Sequence, residues 1–174
     1  MGKISLVEVA TSLPLVVDLD GTLTPTDTLV ESILSLLKKN PLNLFIISFW
    51  LFTGRAEFKR RIASKGDFSV INLPWHEEFL TWLRVQHDNG RTLILATAAH
   101  QSIAQDVACH IKLFSHVIST ENGANLKGTA KLEEIQKYVG SRFSYAGDSA
   151  ADLPIWRAAE TAVLISSSDA VRRE

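Results

Sequence analysis

The run Leu15-Val16-Val17 ends in Asp18-Leu19-Asp20-Gly21-Thr22-Leu23, and few short stretches constrain a fold more. In an extended strand residues i and i+2 point the same way, so Asp18 and Asp20 face one site at the strand's end. Gly21 then lets the backbone turn tightly away. Two carboxylates at the end of a buried apolar strand are costly unless a cation or hydrogen bonds compensate them. A hard divalent ion such as Mg²⁺ fits, because it takes one or two carboxylates and leaves room for phosphate oxygens.

The chain after this stretch alternates apolar runs with helical patterns. Thr28-Leu29-Val30-Glu31 has capping-box form, so a helix is expected to start at Asp27 or Thr28 and to stop at Asn40-Pro41. Leu42 to Phe52 is a second apolar segment, and Arg55, Lys59, Arg60, Arg61 and Lys65 follow it. Residues 27–73 therefore form a small helical insertion. Its apolar segment is expected to pack as a core helix, with contact at a membrane surface as the second reading because Trp50 and Phe52 stand beside basic residues. The basic cluster reads as a solvated face, with guidance of an anionic substrate as the sharper alternative.

Trp75, Phe79, Trp82 and Leu83 mark a helix closed by Asn89-Gly90, and Arg91–Thr97 a second strand. Ile103, Val107 and Ile111 mark a helix and Phe114–Ser119 a third strand. Turns at Asn122-Gly123 and Lys127-Gly128 lead to a helix capped by Thr129. Phe143–Gly147 is a fourth strand, Asp152–Ala159 a short helix with Pro154 in its first turn, and Thr161–Ile165 a fifth strand. Strands alternating with helices imply an α/β fold, a parallel five-stranded sheet with helices on both faces. Ligands in such sheets bind beyond the carboxyl ends of the strands.

Those ends carry the remaining candidates. Thr97, followed by Ala98 and Ala99 at a strand-to-helix transition, offers a hydroxyl and free N–H groups for a phosphate. Lys131 adds a positive charge near a helix start, where it opposes the helix dipole unless an anion is present; Lys127 is its rival. Asp148 is placed to ligate a metal. For Asp152 three roles stay open: capping the helix, orienting a water on the metal, or pairing with Lys131. His100 is expected to be a partly exposed helix-start residue.

Taken together, Asp18-Leu19-Asp20-Gly21-Thr22-Leu23, Thr97, Lys131 and Gly147-Asp148-Ser149-Ala150-Ala151-Asp152 resemble the four ordered motifs of the haloacid dehalogenase (HAD) superfamily. The resemblance spans almost the whole chain. It implies a Rossmann-like core of residues 1–26 and 74–174, and a small cap of residues 27–73 similar to that of phosphoserine phosphatases. It implies a nucleophile, Asp18, and an acid–base group, Asp20. Mg²⁺ would be held by Asp18, the backbone carbonyl of Asp20, and Asp148, and the phosphoryl group by Thr97, the N–H of Ala98, and Lys131, with Asp152 in support. Asp20 favours phosphatase over dehalogenase chemistry, since dehalogenating relatives do without this acid and without the metal.

More narrowly, Asn125–Lys131 and Ala146–Trp156 are similar to soluble HAD domains that precede a UbiA-type polyprenyltransferase. That similarity implies a phosphorylated small-molecule substrate, with prenyl or lipid-linked phosphates in view. It also implies association with, or fusion to, a membrane prenyltransferase, the chain then being an excised domain or a shortened relative. The competing expectation from another class is a catalytically silent phosphate-binding or regulatory module.

Bulk properties narrow the rest. A net charge of −1 gives no basic field for nucleic acid, and no Gly-x-x-x-x-Gly-Lys-Ser/Thr loop is present. The single cysteine, Cys109, forms no internal disulfide and is expected to be buried and inert. The first residues show no secretory pattern, Leu6 breaks a myristoylation motif, and the longest apolar run is too short to span a bilayer. A cytoplasmic location is expected, at the membrane's cytoplasmic face if the chain is part of a membrane protein.

Overall fold

The computed structural model describes residues 13–65, 69–120 and 126–165. Five parallel strands form one sheet in the order β3-β2-β1-β4-β5: β1 (Leu15–Val17), β2 (Leu93–His100), β3 (His116–Thr120), β4 (Ser144–Gly147) and β5 (Thr161–Leu164). β1 lies at the centre, with Val16 opposite Ile94 of β2 on one side and Tyr145 of β4 on the other. The chain leaves β1 toward β2 and β3, then crosses back to β4 and β5. The order therefore reverses between β1 and β4, which opens a crevice at their carboxyl ends.

Side chains alternate across the sheet and divide the core in two. Leu15, Val17, Leu93 and Leu95 pack on one face with Phe79, Leu83, Ile103 and Val107. Those partners come from α4 (Glu77–Asp88) and α5 (Gln101–Ile111). Val16, Ile94, Ala96 and Tyr145 pack on the other face with Ile135 and Trp156, from α6 (Thr129–Val139) and α7 (Leu153–Ala158).

Between β1 and α4 the insertion folds as α1 (Thr28–Lys39), α2 (Asn43–Trp50), a 3₁₀ turn (Leu51–Thr53) and α3 (Arg55–Lys65). It has a separate small core of Leu36, Ile47, Trp50, Phe58 and Ile62. Val70 and Leu73, the last apolar residues of the insertion, pack instead in the main core with Phe79 and Leu80.

Several local expectations are corrected. α1 starts at Thr28, within the expected bounds, but its cap is Asp27 rather than Thr28: the Asp27 carboxylate accepts the Leu29 and Val30 N–H groups. The α6 N-cap is Gly128, at φ +55°, rather than Thr129. Cys109 is exposed, because it lies on the face of α5 opposite Ile103 and Val107. The segment Leu42–Phe52 does not pack as a core helix: only Ile47 and Trp50 are buried, and the other large apolar side chains face solvent. Asn122-Gly123 lies outside the described residues.

Candidate active site

Asp18 follows the last residue of β1, its N–H donating to the Ala146 carbonyl of β4 at 3.0 Å. This backbone bond holds the side chain at the mouth of the crevice. Its Oδ1 accepts the Leu19 N–H at 2.8 Å and pairs with Lys131 Nζ at 2.9 Å. Burial pushes the Asp18 carboxyl above its ordinary range, against the pull of Lys131.

Lys131 enters from the first turn of α6 and is buried. Its Nζ also lies 3.6 Å from Asp152 Oδ1 and 3.0 Å from the Tyr145 hydroxyl. Burial disfavours its charge, but Asp18 and Asp152 outweigh that and hold the ammonium above its usual range. Of the two rival lysines, Lys131 is the one among the carboxylates. Lys127 is exposed at the rim, lining both cavities described below.

Asp152 does not use its carboxylate to cap α7. Its Oδ1 accepts the Tyr145 hydroxyl at 2.8 Å and its Oδ2 faces the Ser149 N–H at 3.4 Å. Of the three roles left open, the structure shows two: the pairing with Lys131, and a cap, since Asp152 closes a capping box with Ser149 on the 3₁₀ turn Ala150–Asp152 that leads into α7. Gly147 permits this arrangement, since a Cβ there would lie 2.7 Å from Asp152 Oδ2.

Tyr145 was missed by the sequence reading. Its hydroxyl joins Lys131 to Asp152, and burial, with the charges of Asp18 and Asp152, keeps it protonated far above its ordinary range. The available signal was weak: a tyrosine two residues before the Gly147-Asp148 turn reads as sheet core, and by burial it is.

Asp20 lines the same crevice as Asp18 but hydrogen-bonds toward the insertion. Its Oδ1 accepts the N–H of Thr28, the first residue of α1, at 2.8 Å. Burial raises its carboxyl to about 6, with the Thr28 hydrogen bond opposing. Asp20 is thus the carboxylate that touches both parts of the molecule.

Asp18, Asp148 and Asp152 each offer an oxygen, and these lie within 4.8 Å of one another. Burial, then repulsion from Asp18 and Asp152, raises Asp148 to about 6. Three carboxylates against one ammonium leave an excess of negative charge in a partly desolvated pocket. A hard oxygen donor set of this kind fits Mg²⁺. Gly21, at φ +76°, is needed for it: a Cβ would lie 2.1 Å from Asp148 Oδ2.

The expected phosphate cradle is corrected in its local structure. β2 continues to His100, with a register irregularity between Ala96 and His100, so Thr97 and Ala98 lie in strand rather than at a helix start. Thr97 is fully buried, its hydroxyl accepting the Ala99 N–H at 3.0 Å, and it is not among the residues lining either cavity. Ala98 lines both, and its carbonyl accepts from Lys59 Nζ at 2.7 Å and Thr120 Oγ1 at 3.0 Å. His100 caps α5 by accepting the Ser102 N–H.

Two adjoining cavities share Asp20, Asp27, Ala98 and Lys127. One, of about 320 Å³, contains Asp18, Lys131, Asp148 and Asp152. The other, of about 340 Å³, lies between insertion and core and is lined by Leu29, Phe58, Lys59, His100 and Ile103. A polar chamber opening on a mixed one, with Leu29, Phe58 and Ile103 on its walls, suits an ester whose charged end and organic end differ.

A family model of haloacid dehalogenase-like hydrolases matches residues 15–157. The chain belongs to this family. A curated relative, "Uncharacterized protein y4nM" of Sinorhizobium fredii (strain NBRC 101917 / NGR234), is 41% identical over 154 residues. That match covers 88% of this chain and 30% of the relative, so the chain spans less than a third of that protein. Among solved structures, a Bordetella pertussis Tohama I protein of unknown function has a TM-score of 0.67 over 92% of both chains at 14% identity. A substrate-bound phosphoserine phosphatase has a TM-score of 0.64 at 13% identity, covering 92% of this chain and 89% of its own. Both share the fold of this HAD hydrolase.

Proposed function

We propose that this HAD hydrolase is a Mg²⁺-dependent phosphatase that cleaves phosphate monoesters through an aspartyl-phosphate intermediate. The observation that carries the reading is the division of labour between Asp18 and Asp20. Asp18 is fixed by Lys131 and the Leu19 N–H beside the other carboxylates. Asp20 stands apart from that ammonium, with a carboxyl near neutrality. One suits a nucleophile and the other an acid–base group.

An oxygen of Asp18 forms a bond to phosphorus as the ester P–O bond breaks. The leaving alkoxide takes the proton of Asp20. Asp20, now a carboxylate, removes a proton from water as that water attacks phosphorus. The bond from phosphorus to Asp18 breaks, and inorganic phosphate and the starting carboxylate result. Lys131 and the N–H of Ala98 hold the transferred group. The resemblance adds Thr97, whose hydroxyl accepts from Ala99 and retains its own proton to donate. Tyr145 and Asp152 keep Lys131 in place.

Asp18, Asp148 and the backbone carbonyl of Asp20 would hold Mg²⁺, with Asp152 beside them. The ion, when bound, supplies positive charge that offsets the phosphoryl oxygens. The apolar side chains on the walls of the second cavity agree with an organic leaving group, and prenyl or other lipid-linked phosphates fall in that class. The narrower similarity to prenyltransferase-associated domains is the ground for proposing a membrane prenyltransferase as partner.

The deciding experiment is release of p-nitrophenol from p-nitrophenyl phosphate with Mg²⁺ or with EDTA. Turnover should require Mg²⁺ and fall on the order of 10⁴-fold or more in Asp18→Asn, as expected on loss of a nucleophile. A folded, Mg²⁺-binding protein inactive on this ester and on a panel including prenyl phosphates would instead be a silent module.

A further inference from the structure

The outer surface of the insertion carries a feature that phosphatase chemistry does not use. Leu42, Phe45, Phe49 and Phe52 recur at helical spacing and form one stripe along α2 and the 3₁₀ turn. The three phenylalanines are 74%, 68% and 89% exposed. Leu44, Ile46 and Leu51 broaden the stripe. Ile47 and Trp50, on the opposite side of the same helix, supply its packing against the insertion's small core. Because α2 packs on α1 and α3, while Phe58 and Lys59 of α3 line the second cavity, the stripe belongs to the layer away from the catalytic crevice.

The polar groups of this segment are turned back on the chain. Ser48 Oγ donates to the Leu44 carbonyl at 2.8 Å and Thr53 Oγ1 to the Trp50 carbonyl at 2.7 Å. Asn43 Nδ2 donates to the Leu36 carbonyl, and Asn40 Oδ1 accepts the Leu42 N–H. The same bonds occur at the exposed Thr81 and Ser64, so they do not by themselves mark this surface, but a surface with its hydroxyls satisfied in this way loses less on leaving water.

Charge selects the occupant. Residues 38–65 hold seven basic side chains and one acid; Lys59 is engaged at the second cavity and Arg60 and Arg61 pair with Glu57, while Lys38, Lys39 and Lys65 are exposed. From Lys38 to Gly54 there is no acid at all. Lys38 and Lys39 are exposed just before the stripe, and Lys65 stands over the Trp50 ring on its inner side. A twofold contact between two copies would bring these like charges together. An anionic lipid surface attracts them while the stripe enters the headgroup boundary. No helix among the described residues is long and apolar enough to cross a membrane, so contact of this kind lies on the bilayer.

We propose that the α2 stripe docks this chain onto the surface of an anionic bilayer, with Phe45, Phe49 and Phe52 inserted and the flanking lysines on the headgroups. This goes beyond the phosphatase reading and stands independently of it.

The test is sedimentation of the 174-residue chain with vesicles of phosphatidylcholine alone or with about 30 mol% phosphatidylserine, whose negative surface attracts basic side chains. The chain should partition at least about tenfold more onto the anionic vesicles, and salt near 1 M should weaken that preference by screening. Phe49→Asp/Phe52→Asp should abolish sedimentation while leaving p-nitrophenyl phosphate turnover and thermal unfolding unchanged. Both sites are exposed, so the variant tests docking rather than folding. Wild type that stays in the supernatant with both vesicles overturns the proposal. So does wild type that self-associates without lipid and becomes monomeric in the variant, since the stripe is then a contact between copies.

Discussion

The catalytic crevice and the outer face of the insertion invert the usual distribution of residues in opposite directions. In the crevice Asp18, Lys131 and Asp152 are 8%, 3% and 2% exposed, although charged side chains are almost never so buried unless paired. On α2 and the 3₁₀ turn after it three phenylalanines are 68–89% exposed. The crevice tolerates its charges because each is tied to the next through Lys131 and Tyr145. The stripe has no such compensation within the described chain. Buried polarity with a full set of partners belongs to a site built for chemistry, and exposed apolarity to a surface built for contact.

The sharpest way to break that contrast is to cut the tie in the crevice. Lys131→Met leaves Asp18, Asp148 and Asp152 without a cation, and removal of one partner from a buried ion pair costs about 3–5 kcal/mol. Urea unfolding in EDTA should show this loss, and Mg²⁺ should restore part of it. A variant as stable as wild type would mean that the carboxylates are less desolvated than their burial indicates.

Next in size is the dependence on pH. Burial raises Asp20 from its ordinary 3.8 to about 6, so the folded state binds this proton more tightly than the unfolded chain. The associated stability is full below pH 3.8 and is lost as pH rises through about 6. Over that window metal-free wild type should lose on the order of 2–3 kcal/mol relative to Asp20→Asn, which keeps an acceptor for the Thr28 N–H but does not titrate. Asp148, raised for the same first reason, acts in the same direction. Parallel profiles of wild type and Asp20→Asn in a thermal series from acid to neutral pH would contradict this.

Smaller again is Tyr145→Phe, which removes the hydroxyl between Lys131 and Asp152 and keeps the ring against Trp156. Loss of that link should cost about 1–2 kcal/mol in unfolding experiments. It should also lower kcat more than it changes KM, because Lys131 is the group displaced. A pure stability loss with unaltered kinetics would reduce Tyr145 to core packing.

The smallest effect is expected on the stripe. Phe45→Ser should change stability by no more than about 0.5 kcal/mol, the ordinary range for a surface site. A large destabilisation would show that the stripe supports the insertion's own core.

Much of the architecture was legible along the chain because its signals are local. The apolar runs bounded by turns locate the strands, and their alternation with helical periods implies a parallel sheet. Asp18, Asp20, Lys131 and Asp148 stood out because charge next to a buried strand or a helix start requires a partner. Tyr145 did not, since a core tyrosine and a tyrosine orienting a lysine look alike until Asp152 is seen beside its hydroxyl. Thr97 was identified, but its surroundings were misread: the small residues Ala98 and Ala99 suggested a helix start, whereas pairing of His100 with Thr120 carries β2 onward. For Leu42–Phe52, hydrophobicity named a helix without saying what it meets.

The order of elements, the spacing of the carboxylates and the excess of basic charge in the insertion are properties of the sequence alone, each set by neighbours a few residues apart. Which carboxylates share Lys131, which one hydrogen-bonds to Thr28, and which face of α2 is left bare depend on residues far apart in sequence. Only the folded chain decides them, because burial and pairing belong to a location in space, and the sheet order and the insertion's packing determine that location.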